Sequence, residues 1–215
     1  MTRTLSEAES KRVLAAHGVP VLQERLAATP DDAVAAADAL GYPVVVKACG
    51  AGIAHKTERG LVHLGLADAT AVRTAATEVL GAVDGSDGSV DLLVAPMVRG
   101  NRELIAGVHD DPQFGRCVMV GLGGILAEAI GDVAFRLVPL EPVDVDEMLD
   151  DLGAQAVLGE FRGELPVDRA ALADVLLGLS RLAEADTSVV SVDVNPLVVV
   201  DGRPVAVDAL VEVTA

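Results

Sequence analysis

The stretch Val44-Val45-Val46-Lys47-Ala48-Cys49-Gly50-Ala51-Gly52-Ile53-Ala54-His55-Lys56 joins a short apolar run to a loop of small residues bordered by two lysines. Lysine occurs only three times in the 215 residues, so this segment holds two of the three. A lysine at the end of a buried strand needs water or a partner anion, because unpaired burial of its charge is costly. Gly50 and Gly52 permit the close backbone approach that phosphate-binding loops use. The segment therefore predicts a polyphosphate site with Lys47 and Lys56 as cations; the alternative for Lys47 is an edge lysine that reaches solvent.

His55 stands beside Lys56 at the end of this loop. Three roles are compatible with that position: a contact to phosphate, a nucleophile that becomes phosphorylated, or a loop histidine with ordinary hydrogen bonds. The residues alone leave these three roles open.

Composition bounds the class of protein. Half of the residues are hydrophobic but only four are aromatic, so the core must consist of Val, Leu, Ala and Ile. Val-rich runs that alternate with Ala- and Leu-rich runs predict an α/β or α+β protein. The formal net charge of −17 argues against nonspecific binding of nucleic acid, since a polyanion would be repelled.

The two cysteines and the hydropathy pattern bear on the compartment. Cys49 and Cys117 lie beside apolar runs without the spacing of metal ligands, which favours buried thiols in a reducing environment. No charged-then-apolar leader opens the sequence, and no uncharged apolar run reaches the roughly 18 residues of a membrane span. We expect a cytoplasmic protein that does not enter the membrane.

Periodicity and capping signals predict an alternation of helices and strands. The predicted helices cover about 7–17, 30–41, 69–82 and 169–184, with a further one that starts at Asp144 or Asp146. The predicted strands cover 44–48, 61–66, 92–96, 103–109, 118–122 and 135–140, followed by two strands around Asp201-Gly202. Residues 98–101 form a break, which we interpret as a hinge between two lobes.

The last two strands allow a register to be predicted. Asp201-Gly202 between alternating segments is a strong signal for a two-residue hairpin turn, in which paired residue numbers sum to 403. Asn195 then lies opposite Asp208, with Cβ atoms roughly 4.5–5.5 Å apart. Their side-chain oxygens could share one Mg²⁺. The alternative is an ordinary solvated face of a hairpin, and Pro196 and Pro204 could shift the register.

Two further segments are weaker indications of a site for a nucleotide or another anion. Glu103 opens an apolar strand, where it could face a nucleotide or a metal, or be an ordinary acid at a strand end. Gly121-Leu122-Gly123-Gly124 is half of a dinucleotide-binding fingerprint, and could present backbone N–H groups to an anion where the next element begins.

Taken together, the motifs resemble the ATP-grasp domain of ADP-forming acyl-CoA (acetyl-CoA) synthetases, relatives of the succinyl-CoA synthetase β subunit. The resemblance covers nearly the whole chain in order. Its motifs are Ser6–Lys11 with His17–Pro20, Gly41–Lys47, His55-Lys56-Thr57 with Gly60, Asp111–Gly115, Gly121–Ile125 with Glu128, Asp132–Leu140, Phe161–Gly163 with Pro166–Asp168, Asp193–Leu197 and Ala206–Ala209.

The resemblance implies an ATP-grasp fold whose two lobes close on ATP or ADP. The implied lobes are residues 21–97 with the phosphate loop, and residues 1–20 plus 98–215 with the metal site. Lys47 and Lys56 would contact nucleotide phosphates, the strand near Val94–Met97 would offer backbone contacts to adenine, and Glu103 would lie beside the nucleotide. Asn195 and Asp208 match the Mg²⁺ ligands of the family, in agreement with the predicted hairpin.

The resemblance also implies an acid–CoA ligase (ADP-forming) that is active only with a CoA-binding α subunit, in an expected α2β2 assembly. Its reaction is acyl-CoA + ADP + phosphate ⇌ acid + CoA + ATP. His55 aligns with a histidine proposed in such enzymes to carry the phosphoryl group between subunits, which makes it the candidate catalytic residue.

The chain departs from the family at two places. Ala95-Pro96 stand where family members usually carry a polar pair such as Gln-Glu, and Thr57-Glu58-Arg59-Gly60-Leu61 differs from the usual second-glycine pattern. Because Ala95-Pro96 replace the polar pair in the strand between the lobes, a second interpretation stays open. In it the chain is a non-catalytic ATP-grasp module that senses nucleotide or has a structural role. A third alternative, an ATP-grasp ligase that activates a carboxylate directly, is disfavoured by the His55-Lys56 pair.

Overall fold

Two units can be distinguished in a computed structural model of the chain, in which residues 2–51, 53, 56–124 and 131–214 are described. The small unit comprises residues 4–9 and 22–97, and the large unit comprises residues 1–3, 10–21 and 98–215. Both combine helices with antiparallel sheets, which confirms the mixed α and β class. Residues 4–9, which the family resemblance assigns to the lobe of 98–215, group with residues 22–97 instead.

The small unit is a four-stranded antiparallel sheet with two helices on it. The strands run in the order β2 (Arg25–Ala27), β5 (Asp91–Pro96), β3 (Val44–Cys49) and β4 (Val62–Leu66). Helices α2 (Pro30–Leu40) and α3 (Ala69–Ala82) pack on each other and on the sheet. Alanine and valine fill the space between the layers, as the scarcity of aromatic residues requires; the buried core includes Ala33, Ala37, Val44, Val46, Val72, Ala76, Val79, Leu92 and Val94.

Side chains of the residues directly before the first three helices cap their starts. At α1 (Glu7–Ala16) the Ser6 N–H donates to the Glu9 carboxylate at 2.9 Å, the reciprocal bond of a capping box. Thr29 Oγ1 accepts from the Asp32 N–H at 3.2 Å at the start of α2, and Asp68 Oδ1 accepts from the Ala71 N–H at 2.9 Å at the start of α3. These three predicted starts are confirmed.

The large unit is built on a seven-stranded antiparallel sheet. Its order is β1 (Thr2–Thr4), β11 (Ala209–Thr214), β9 (Val189–Val200), β6 (Glu103–Asp111), β7 (Gly115–Leu122) and β8 (Val133–Leu137), and β10 (Arg203–Ala206) also pairs with β9. Helix α4 (Pro142–Asp151), the short α5 (Gln155–Leu158) and α6 (Arg169–Ala185) complete it. Leu172, Val175, Leu176 and Leu179 of α6 are fully buried, and α6 packs against β6, β7 and α4.

Several predicted boundaries are wrong, for local reasons. Helix α4 begins at Pro142 rather than at Asp144 or Asp146, because proline suits the first helical position and the Asp144 carboxylate reaches back to the Glu141 N–H at 2.7 Å. The strand predicted at 135–140 is Val133–Leu137. The chain ends in three strands rather than two, since residues 207–208 bend between β10 and β11.

The shortest elements escape sequence reasoning. Strands β1 and β2 have three residues each and α5 has four, too few to show a period. The segment 125–130 that follows the glycines at 121–124 lies outside the described residues.

Both cysteine thiols are buried and free, as the sequence predicts. Burial raises the pKa of the Cys49 thiol and also that of the Cys117 thiol. Within the part of the chain that the structure describes, no helix has the length and apolar character needed to cross a membrane.

Arg102 holds a loop of the large unit to the start of β6. Its guanidinium is 3% exposed and donates to the carbonyl oxygens of Val157 at 3.2 Å, Gly159 at 3.0 Å and Leu165 at 2.5 Å. It also pairs with the Glu164 carboxylate at 3.1 Å. A planar guanidinium suits this role because its five donors point outward in one plane.

Replacing Arg102 should therefore unfold the large unit more easily. We expect Arg102→Met to lower the free energy of unfolding by about 3–5 kcal/mol, since it leaves buried carbonyl groups unpaired. Urea denaturation followed by circular dichroism measures this. Arg203→Met is the matched control, because Arg203 is 75% exposed; equal losses in the two variants would contradict the structural role of Arg102.

Arg59 and Asp87 tie two loops of the small unit together. The Arg59 guanidinium donates to both carboxylate oxygens of Asp87, at 2.8 and 2.7 Å. This contact holds the pKa of the Asp87 carboxyl at about 2, well below its usual value.

The depressed pKa gives the stability a specific dependence on pH. The contribution of Asp87 is complete above the ordinary aspartate pKa and is lost as the pH falls through about 2. We expect Asp87→Asn to lower the melting temperature at pH 7, and the gap to wild type to shrink as both are measured at successively lower pH below 4. A gap that stayed constant with pH would show that the carboxylate charge is irrelevant.

Candidate functional site

Lys47 lies in the middle of the small sheet, on a strand that is otherwise apolar. Strand β3 pairs with β4 on one side and with β5 on the other, and Lys47 is 5% exposed. A lysine so deeply enclosed requires an anionic partner. That partner is Glu7, whose carboxylate oxygen Oε1 accepts from the Lys47 ammonium group. The interpretation of Lys47 as an edge lysine that reaches solvent is therefore wrong.

Glu7 also receives the second lysine of the loop. Its other oxygen, Oε2, lies 2.5 Å from Lys56 Nζ, and the side chains of Glu7 and Lys56 are 1% and 14% exposed. Both lysines at the borders of the loop thus converge on one buried carboxylate in the first turn of α1. Two ammonium groups that converge from different segments are the kind of cationic group that binds phosphate.

Sequence reasoning missed Glu7. The signal that could have found it is the need of two lysines for a partner, together with an acid in the first turn of the neighbouring helix. That acid is separated from Lys56 by 49 residues, so only the fold brings them together. His55 lies outside the described residues, so its predicted role stays a prediction.

The backbone around Gly50 is tight for a reason internal to the small unit. A Cβ atom at Gly50 would lie 3.0 Å from the carbonyl oxygen of Ser89 and 3.1 Å from Val90 Cγ2. The glycine is thus required by the residues that lead into β5, whatever it contributes to a ligand. The loop closes where the Leu61 N–H donates to the Lys56 carbonyl at 2.8 Å.

Val94 and Met97 lie on β5 and directly after it. Val94 is fully buried and pairs with Arg25 on one side and with Val46 on the other. The Met97 N–H donates to the Pro43 carbonyl at 2.9 Å. The sheet therefore uses the backbone of Val94, and the end of the strand is the more accessible place for a backbone contact to a ligand.

In the large unit, the predicted hairpin register is confirmed. Strand β10 pairs with β9 so that Arg203 lies opposite Val200 and Ala206 opposite Leu197, the predicted sum of 403. Asp201 and Gly202 have φ angles of 49° and 82°, as a two-residue turn with positive φ at both positions requires.

The same register continues past the bend into β11. Ala209 lies opposite Val194, and between these strands the Asn195 N–H donates to the Asp208 carbonyl at 3.2 Å. Pro196 does not shift the register, since its carbonyl accepts from the Val207 N–H at 3.1 Å. The structure thus brings Asn195 and Asp208 together across the hairpin.

On its other edge, β9 carries an extra residue at the same point. Leu104 of β6 lies opposite Leu197, but Ala106 lies opposite Val194, so β9 advances three residues while β6 advances two. This β-bulge falls at Asn195-Pro196. Bulges bend a strand locally and redirect side chains, and they are common beside active sites.

The negative charges near Asn195 and Asp208 favour a cation on this face of the hairpin. Asp193, two residues before Asn195 on the same strand, keeps much of its surface exposed, yet partial enclosure by the sheet raises the pKa of its carboxyl, and the charge of Asp208 raises it further. Asp208 Oδ1 accepts from the Ala209 N–H at 2.8 Å. Among the described residues, no group of three or more His, Cys, Asp or Glu side chains forms a complete metal site. A cation here would need further oxygen ligands from a bound molecule.

Glu103 opens β6 and packs against the glycines that follow β7. Its carbonyl accepts from the Gly123 N–H at 2.8 Å, and a Cβ atom at Gly123 would lie within 2.9 Å of the Glu103 carbonyl carbon. The glycine at this point is thus explained by packing against β6. The Glu103 carboxylate lies near Gly124, since Oε2 is 3.6 Å from where a Cβ would stand.

A separate apolar cavity of about 400 Å³ lies on the large unit, beside the outer strand β8. Exposed Phe114, Phe135 and Leu137 line it. None of the predicted site residues lines it in the part of the chain that is described.

Known proteins resemble this chain in sequence and in fold. The family model for the ATP-grasp domain matches residues 1–213. The β subunit of an ADP-forming acetate–CoA ligase (isoform II) from Pyrococcus furiosus is 36% identical over 197 residues, which cover 90% of this chain and 84% of that protein.

Solved structures of the dinucleotide-forming acetyl-coenzyme A synthetase 1 of Ca. Korarchaeum cryptofilum are also similar. One, in complex with coenzyme A, Ca-AMPCP and HgCl⁺, has a TM-score of 0.92 at 33% identity, covering 99% of this chain and 94% of that one. Another contains coenzyme A and Mg-AMPPCP, with its phosphohistidine segment pointing towards the nucleotide-binding site; it has a TM-score of 0.86 at 33% identity and covers 98% and 93%. The resemblance of the motifs is thereby confirmed: the chain belongs to the ATP-grasp domain family, among the β subunits of ADP-forming acetyl-CoA synthetases.

Proposed function

We propose that this chain is the nucleotide-binding β subunit of an ADP-forming acyl-CoA synthetase. It transfers a phosphoryl group between a phosphohistidine of a CoA-binding α subunit and ADP or ATP, in an α2β2 assembly. The observation that supports this most is the match over nearly the whole length of a β subunit. The overall reaction is acyl-CoA + ADP + phosphate ⇌ acid + CoA + ATP, and the CoA chemistry takes place on the α subunit.

Lys47 and Lys56 supply the positive charge for the phosphates. Each ammonium group has three N–H donors, so each lysine can keep its bond to Glu7 and still donate to a phosphate oxygen. In the step that transfers the phosphoryl group to ADP, the lysines act by positioning the phosphates and neutralising their charge.

The face of Asn195 and Asp208 fits Mg²⁺. An amide oxygen and a carboxylate are the hard oxygen ligands that this ion prefers, and Mg²⁺ usually completes its shell with waters and nucleotide phosphates. Enclosure by the sheet is the main cause of the raised pKa of Asp193, and the charge of Asp208 is the second. The two nearby carboxylates favour a cation at this face. When bound, the ion neutralises charge on the phosphates.

The remaining predicted residues are assigned to the nucleotide and to the transfer. Because Val94 is paired on both sides, we assign the adenine contact to the end of β5 near Met97, and Glu103 to the nucleotide. His55 accepts the phosphoryl group: the P–N bond to the partner's histidine breaks as a P–N bond to His55 forms, and the phosphoryl then passes to a β-phosphate oxygen of ADP.

A second candidate function, nucleotide binding without phosphoryl transfer, is suggested by Ala95-Pro96 near the end of β5. Ala95-Pro96 carry no polar side chain at the place where the family usually has a polar pair. A module that binds nucleotide without transferring phosphoryl would tolerate this change. Nucleotide binding and phosphoryl transfer are therefore tested separately.

Removing either proposed metal ligand should weaken Mg²⁺-dependent binding of nucleotide. We expect Asn195→Ala and Asp208→Ala each to reduce the affinity for ATP in the presence of Mg²⁺ by at least about tenfold without unfolding the chain. Calorimetric titration of the purified chain with ADP and ATP, with and without Mg²⁺, measures this. Asp174→Ala, on the exposed face of α6, is the control; unchanged affinity in both site variants would exclude the hairpin as the metal site.

The role of His55 separates transfer from binding. We expect His55→Ala to bind ATP like wild type but to take up no phosphoryl group when the complex with the α subunit is given radiolabelled ATP. His63→Ala on β4 should label normally. Full turnover by the His55 variant would rule out the relay, and a wild-type chain that binds ATP without ever being labelled would favour the non-catalytic module.

A further inference from the structure

The carboxylate of Glu7 is shared by two lysines that the fold brings from different segments. The Glu7 side chain is 1% exposed, with one oxygen bonded to the Lys47 ammonium group and the other 2.5 Å from that of Lys56. Removing one partner from such a buried group leaves an uncompensated charge. The two ammonium groups thus share one buried carboxylate.

We propose that Glu7 is a positioning residue that holds Lys47 and Lys56 in place for the phosphates of the nucleotide. This inference rests on the proposed function. Ordering a lysine side chain costs conformational entropy, because the long side chain has many rotamers when it is free. Because Glu7 orders both lysines before the ligand arrives, the nucleotide does not bear that cost on binding.

Helix α1 makes Glu7 a rigid support. Glu7 is the first residue of the helix and lies between Ser6 and Glu9, the two residues of the capping box. The thiol of Cys49, whose pKa is raised by burial, is close to the same charges, since Glu7 raises its pKa further and Lys56 lowers it. A site held by a capped helix keeps its geometry better than one held by a loop.

Considered by its charge alone, Glu7 should weaken the binding of ATP, whereas a positioning role predicts that it strengthens this binding. A carboxylate beside the lysines repels phosphate, so removal of its charge would tighten the binding of ATP if only Coulomb forces acted. A positioning role predicts weaker binding, because the lysines lose their common anchor. The sign of the change in affinity therefore distinguishes the two.

The experiment compares Glu7→Gln with Glu9→Gln in the full chain. Both variants remove one negative charge from the same turn of α1, but Glu9 serves the capping box. We expect Glu7→Gln to bind ATP at least about tenfold more weakly, the size of one lost charge-assisted hydrogen bond. Binding of adenosine, which lacks phosphates, should change by less than about twofold, and Glu9→Gln should bind both as wild type does.

A second readout follows the lysines themselves. With ¹⁵N-labelled lysine the chain gives three ammonium signals, which Lys→Arg variants assign. We expect the signals of Lys47 and Lys56 to shift and broaden in Glu7→Gln, because ammonium groups without an anchor exchange faster with solvent. Glu7→Asp keeps the carboxylate and should recover part of the ATP affinity, even if the glutamine variant folds poorly.

The outcomes are distinct. ATP binding by Glu7→Gln that equals or exceeds that of wild type overturns the positioning role and leaves the proposed function intact. An equal loss of ATP and adenosine binding also overturns it, since the defect is then general. Failure of wild type and of Glu9→Gln to bind ATP overturns the proposed function, and the role of Glu7 with it.

Discussion

The partnership of Lys47 with Glu7 is the constraint on which the small unit depends. An ammonium group in the middle of a four-stranded sheet is stable only with a nearby anion, and that anion comes from the first turn of α1. This requirement explains why residues 4–9 group with residues 22–97 in one compact unit. The same carboxylate of Glu7 also pairs with Lys56. The two lysines proposed to bind phosphate are therefore brought together by the anion that the burial of Lys47 requires.

The large unit reaches its candidate site by a different route. There the decisive feature is a tight turn, Asp201-Gly202, whose two positive φ angles set the pairing of every residue from Arg203 to Glu212. The bulge at Asn195-Pro196 affects only the β6 edge of the strand, so the pairing with Asp208 is preserved while the strand bends. The candidate site of the small unit thus depends on a long-range ion pair, whereas that of the large unit depends on local backbone geometry.

That difference explains how much could be predicted from the sequence. The turn, the register and the helix caps depend on neighbouring residues, so the juxtaposition of Asn195 with Asp208 and the starts of α1, α2 and α3 were predictable. Glu7 was not, because it stands 40 residues before Lys47 along the chain and only the fold brings the two side chains together. The start of α4 was missed because Asp144 acts as an acceptor inside the helix and Pro142 begins it. The glycines at 50 and 123 indicated a ligand, yet each also fills a packing requirement of its own unit.

The hairpin also limits how this family can vary in length. Side chains alternate between the two faces of a strand, so one residue inserted into the turn at Asp201-Gly202 would displace every pair by one place. Asp208 would then no longer lie opposite Asn195, and the two proposed metal ligands would be separated without a change in either residue. Insertions and deletions are usually tolerated best in surface turns, but if this face binds a metal as proposed, the length of this turn should be as fixed as the identity of the two residues.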